Sequence, residues 1–116
     1  MIDAVFWEFF ALTIAVEVPV YWLLLTRFGG IRSGAALTTA IGINLISHPL
    51  FVLVLVPAAN TVLPATGAIV VAEGIVCVLE AGLIRWWLRV DGQLCVAAAL
   101  LANGCSVLVG AAVVLV

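Results

Sequence analysis

Ile41-Gly42-Ile43-Asn44-Leu45-Ile46-Ser47-His48-Pro49-Leu50 brings an amide, a hydroxyl, the chain's single histidine and a proline within six residues. The stretch sits inside an apolar run over about residues 34–56, long enough to cross a hydrocarbon core of ~30 Å as a helix. Ala36, Ala40, Asn44 and His48 recur every fourth residue. On a helix they form one stripe, small at one end and polar at the other, suited to close contact with neighbouring helices. Pro49 removes the backbone bond to the carbonyl of Leu45, which predicts a kink beside His48.

The rest of the chain repeats this plan. Of 116 residues, 67% are hydrophobic and 9% charged, and the mean hydropathy is +1.43. A soluble domain of this size is closer to half apolar, so there is too little polar surface to cover a water-soluble globule. Further apolar runs cover about residues 4–25, 67–88 and 93–115. No strand-like alternation is present, which argues against a β-barrel. The expectation is an all-α, polytopic membrane protein, a single domain of four transmembrane helices in a small bundle embedded in the lipid bilayer.

The loops set an orientation. All four basic residues lie in the first and third turns: Arg27 and Arg32, then Arg85 and Arg89. The middle linker, from Pro57 to Thr66, carries no charge. The positive-inside rule places both basic loops in the cytoplasm and both termini outside, in the cell membrane. Trp7, Tyr21, Trp22, Trp86 and Trp87 lie near span ends, as aromatic interfacial anchors do. Two split pairs of arginines make no basic patch, so no nucleic-acid partner is expected. Asp3 stands where a secretory signal would carry basic residues, and no signal peptide is expected. Cys77, Cys95 and Cys105 are odd in number and fall in apolar runs, so they read as small hydrophobes and not as a disulfide framework.

Polar residues inside the spans are the candidates for function. Counting ~1.5 Å per residue from the outer end of each span puts Glu17 ~20 Å deep, Asn44 ~18 Å, Glu80 ~20 Å and Asn103 ~17 Å. His48 and Glu73 lie higher, at ~12 Å and ~9 Å. A central layer of two carboxyls and two amides is expected, one from each helix, under an outer layer of His48 and Glu73. Ser47, Ser106 and Cys77 are secondary members, Cys77 sharing a helix face with Glu73 and Glu80. A carboxyl in the bilayer interior costs at least ~2.5 kcal/mol on insertion scales. Two carboxyls at one depth would share protons rather than both ionise, and amides can donate to carboxylates or accept from carboxylic acids. The two hairpins also rhyme. Each reads Glu, basic turn, Asn-x-x-Ser, which suggests a parallel repeat with Glu17 and Glu80 as mates.

Three readings follow. The polar core could serve proton- or cation-linked transport, alone or as a transporter subunit, because intramembrane carboxylates with a histidine are proton-relay chemistry. It could be interhelical glue in a structural subunit, at ~0.6 kcal/mol per contact. His48 with Glu73 and Glu80 could hold a divalent metal in a membrane enzyme, although no second histidine and no His-Glu-x-x-His is present. No resident cofactor is expected. Neither a nucleophile with its base nor a phosphate-binding glycine loop is evident, so an enzyme is the less favoured reading. A bundle this small has little room for a private pathway, so a homo-oligomer or a larger membrane partner is expected. His48 paired with Glu73 would make a pH-sensitive element. Glu8 lies near the outer interface on the opposite side of its helix from Glu17 and is left outside the site.

Glu17 before Pro19, Asn44-x-x-Ser47-His48-Pro49, Glu73-x6-Glu80 and Asn103-x-x-Ser106 with Gly110 resemble small uncharacterised prokaryotic membrane proteins with four spans. That resemblance covers most of the chain and implies recurrence of these polar positions. Ala15-Val16-Glu17-Val18 and the four-span plan are also similar to small multidrug resistance exporters. Those proteins look like antiparallel dimers in which a membrane-embedded Glu exchanges protons for cationic drugs. Here Glu73 and Glu80 are extra, the third span lacks that family's Gly/Tyr/Trp pattern, and the arginine bias opposes dual topology. The likeness is one of architecture.

Overall fold

A computed structural model describes residues 4–115; Asp3, and with it the signal-peptide reading, lies outside the described residues. Four helices follow one another: α1 (Ala4–Arg27), α2 (Ser33–Ala59), α3 (Ala65–Leu88) and α4 (Gly92–Leu115). All four are long and apolar enough to cross a membrane. They close a ring in which α1 packs on α2 and α4, and α3 packs on α2 and α4. The backbones across each diagonal, α1 with α3 and α2 with α4, do not touch. The chain is thus a multi-pass membrane bundle whose interior side chains decide what fills the axis.

The ring divides lengthwise. Towards the end carrying the two basic turns, the interior is a dry plug built from Val18, Tyr21, Leu25, Ala36, Ala40, Ile84, Cys95 and Ala98. Alanines at the contacts let backbones approach closely, the packing used where lipid removes any hydrophobic drive. Large side chains such as Leu45, Val78, Trp86 and Leu108 point outward and are exposed, as lipid-facing groups should be. Trp7, Trp86 and Trp87 are among them.

The turns are locally encoded. α1 ends with the Leu25 carbonyl accepting from both Gly29 and Ile31, and Gly30 takes φ +65° between them, a conformation open to glycine at no steric cost. Trp22 Nε1 donates to Ser33 Oγ at 2.8 Å and ties the end of α1 to the start of α2. α3 ends with Arg89 in the left-handed region, φ 56°. Arg85 Nη1 donates to the Val90 carbonyl at 2.7 Å, and Asp91 Oδ2 accepts from the Leu94 amide at the start of α4. Arg85 therefore closes its own turn, in addition to any interfacial role.

α2 differs most from its reading. Pro57 does not start a linker. It sits in a helical segment, Val56–Ala59, that continues α2, near the start of that segment, where the fixed φ of proline suits a helix. The linker shrinks to residues 60–64. The distortion near Pro49 is a π-helical turn at Phe51–Leu55, where the Val56 amide donates to the Phe51 carbonyl five residues back. The ladder is interrupted twice, at Pro49 and Pro57, and the wider turn falls between the two breaks. Such turns often lie at functional sites, and this one begins three residues after His48.

Candidate functional site

Above the dry plug, the interior opens into a cavity of about 820 Å³. It reaches from Val5 and Leu115, at the uncharged end, down to Glu80 and Asn103. Along α1 that is the distance from Val5 to Glu17, ~18 Å at 1.5 Å per residue. Glu17, Asn44, Ser47, His48, Glu73, Glu80, Asn103 and Ser106 all line it. The six polar residues expected at the core, with both serines, therefore share one space. Cys77 does not join them. It borders a smaller apolar groove between α3 and α4, its thiol 3.8 Å from the Ala99 carbonyl. Cys95 is buried and Cys105 exposed, and all three thiols are free. Glu8 is exposed and lies off the cavity.

Glu80 is the hub. Its Oε1 accepts from Tyr21 Oη at 2.5 Å and from Asn103 Nδ2 at 2.8 Å. Its Oε2 accepts from Ser47 Oγ at 2.5 Å. These donors come from α1, α4 and α2, so one carboxyl on α3 ties the whole ring together. Both oxygens are occupied, and the side chain is 1% exposed.

Tyr21 does not lie where its position near a span end predicts. The interfacial belt, beside Trp22, is its expected place, yet it is fully buried and reaches Glu80 across the diagonal. The signal was available: Phe6, Phe10, Glu17, Tyr21 and Leu25 are spaced by four and seven along one α1 face, and all are buried. A belt residue would sit off that face.

Glu17 is held differently. Ser106 Oγ donates to its Oε2 at 2.7 Å, while Oε1 is buried with no partner. Asn103 serves a carboxylate as expected, with its amide also anchored on the Ala99 carbonyl at 2.9 Å. Asn44 does not. Its Nδ2 donates back to the Ala40 carbonyl at 2.9 Å, which leaves Oδ1 buried and unpartnered. The two carboxyls, although matched in the hairpin rhyme, have unequal surroundings.

His48 and Glu73 form no pair. The imidazole stacks on Phe10 at 5.0 Å with planes 3° apart, flanked by Phe6 and Phe51. His48 Nε2 and Glu73 Oε2 are each buried without a partner. The flat aromatic contact holds the ring against Phe10. Among the described residues, no three His, Cys, Asp or Glu side chains are placed to hold a metal ion, and Glu80, one of the three metal candidates, already accepts three hydrogen bonds.

Four polar atoms thus remain unsatisfied on cavity-lining residues: Glu17 Oε1, Asn44 Oδ1, His48 Nε2 and Glu73 Oε2. A fifth, Thr39 Oγ1, lies off the cavity. Buried polar groups are nearly always paired, so four orphans on residues around one space set this region apart from the saturated Glu80. The chain matches no family model, no curated protein and no solved structure.

Proposed function

We propose that this protein is a proton- or cation-linked transporter, or the polar-core subunit of one. The observation that carries this reading is the division of labour between two carboxyls at one level. Glue would leave every buried polar atom paired, as Glu80 is. Glu17 and Glu73 instead keep an unpaired oxygen each, beside a cavity that ends blindly at the dry plug. A buried carboxyl on a cavity-lining residue, with one oxygen left unpaired, is a group that can take up and release a proton or cation, as intramembrane carboxylates characteristically do. Glu80 then serves as the fixed floor and Glu17 as the exchanging group.

In this reading both basic loops face the cytoplasm, by the arginine bias, and the cavity opens to the outside. Release on the other face needs the plug to part. A second copy or a larger membrane partner would supply the surface for that motion.

The test is proton flux in proteoliposomes carrying a pH gradient and a trapped pH dye. Wild type should dissipate the gradient at least tenfold faster than Glu17→Gln, with both variants equally helical and monodisperse. Wild-type flux no greater than that of empty vesicles would sink the proposal. It would favour the second reading, a structural subunit, for which the three-donor cage around Glu80 is the supporting observation.

A further inference from the structure

The cavity is much larger than a proton or a bare metal cation needs. At about 820 Å³ it falls in the range of pockets for small organic ligands, which are mainly apolar with a few placed polar groups. Its walls fit that description. Phe6, Phe9, Phe51, Val52 and Val114 line it towards the uncharged end, and the polar groups gather further in.

The chemistry of the unpaired atoms narrows the ligand. Two are carboxyl oxygens and one is the amide oxygen of Asn44, left without a partner while its Nδ2 is committed to Ala40. The fourth, His48 Nε2, accepts when the ring is neutral. Glu17, Asn44 and His48 are each at least nine-tenths buried. Among the described residues lining the cavity there are three glutamates and no lysine or arginine. Such a site repels anions and offers several acceptors to a donor-rich cation.

We propose that the cavity binds a primary ammonium compound with an apolar, preferably aromatic, body. Its three N–H groups meet the unpaired acceptors of Glu17, Glu73 and Asn44, and its body lies against the phenylalanines towards the uncharged end. A quaternary ammonium carries the same charge but has no N–H. It would leave those acceptors unsatisfied, and a site built to hydrogen-bond rejects an analogue that lacks the donor. This inference rests on the cavity being functional, as the transport reading holds, and adds the substrate class.

The experiment is calorimetric titration of the protein in lipid nanodiscs, with empty nanodiscs as the blank. The probes are 4-phenylbutylammonium, its N,N,N-trimethyl analogue and 4-phenylbutanol. The primary ammonium should bind at least tenfold more tightly than either. Glu17→Gln and Glu73→Gln should each weaken it at least tenfold, while Glu8→Gln, off the cavity, leaves it unchanged. Equal or tighter binding of the trimethyl analogue overturns the donor argument, and equal binding of the alcohol overturns the cation. Binding of none of the three overturns the proposal outright. Proton flux measured without amine then shows separately whether the transport reading survives. Should one Gln variant fail to fold, the other variant and the wild-type ligand series still decide.

Discussion

Tyr21 Oη donates to Glu80 Oε1 at 2.5 Å, joining two helices whose backbones lie on opposite corners of the ring. This bond marks the boundary between the two halves of the bundle. On one side lies the dry plug, on the other the cavity. Tyr21→Phe keeps the ring and removes the donor. It should destabilise the bundle by ~0.6–1.7 kcal/mol, the range for interhelical hydrogen bonds inside a membrane. Unfolding by added SDS in mixed micelles would measure this, and a shift below a few tenths of a kcal/mol would show that the bond is not made.

Glu80 and Glu17 should respond in opposite ways to substitution. Glu80→Leu strands Tyr21, Ser47 and Asn103 in a buried space and should cost more than ~3 kcal/mol, since each unsatisfied group carries ~1–3 kcal/mol. Glu17→Gln loses little, because the amide oxygen can still accept from Ser106. Its cost should stay under ~1 kcal/mol while flux is lost. Parallel unfolding and flux measurements on both variants decide, and equal destabilisation would refute the division.

His48→Phe is expected to be neutral or stabilising. The ring already stacks on Phe10 within a phenylalanine cluster, and the substitution removes a buried Nε2 that has no partner. Transport or amine binding should nevertheless fall. A drop of more than ~2 kcal/mol in stability, read by the same unfolding assay, would mean that the imidazole has a structural partner.

The turn between α1 and α2 depends on two glycines for different reasons. Gly30→Ala places a side chain at φ +65° and should cost ~1–2 kcal/mol. Gly29→Ala puts a Cβ 2.7 Å from the Leu25 carbonyl oxygen, a backbone atom that cannot swing aside, so it should cost more. Thermal unfolding of the two variants in detergent gives the order, and the reverse order would be the telling result.

Orientation can be read by chemistry. Ser33→Cys at the basic end and Asn60→Cys at the uncharged end, each without the three native cysteines, can be treated with a membrane-impermeant maleimide in intact cells. Asn60→Cys should react and Ser33→Cys only after lysis. Labelling of Ser33→Cys in intact cells would reverse the assignment of both loops.

Amino-acid order alone determined the helices, because ~20-residue apolar runs have one economical solution in a bilayer that cannot satisfy open backbone. It also marked Glu17, Asn44, His48, Glu73, Glu80 and Asn103 as costly to bury, and depth counting along each helix put them at neighbouring heights. Spacing within one helix could in principle have added Tyr21, on the Glu17 face. What only the tertiary structure decided is which of these groups meet. Helix rotation and ring order are set by packing among all four helices, and no count along one of them contains that information. Tertiary packing made Glu80 a saturated hub, and left Glu17 and Glu73 each with an open oxygen. It stacked His48 on Phe10 and placed Cys77 on the groove between α3 and α4.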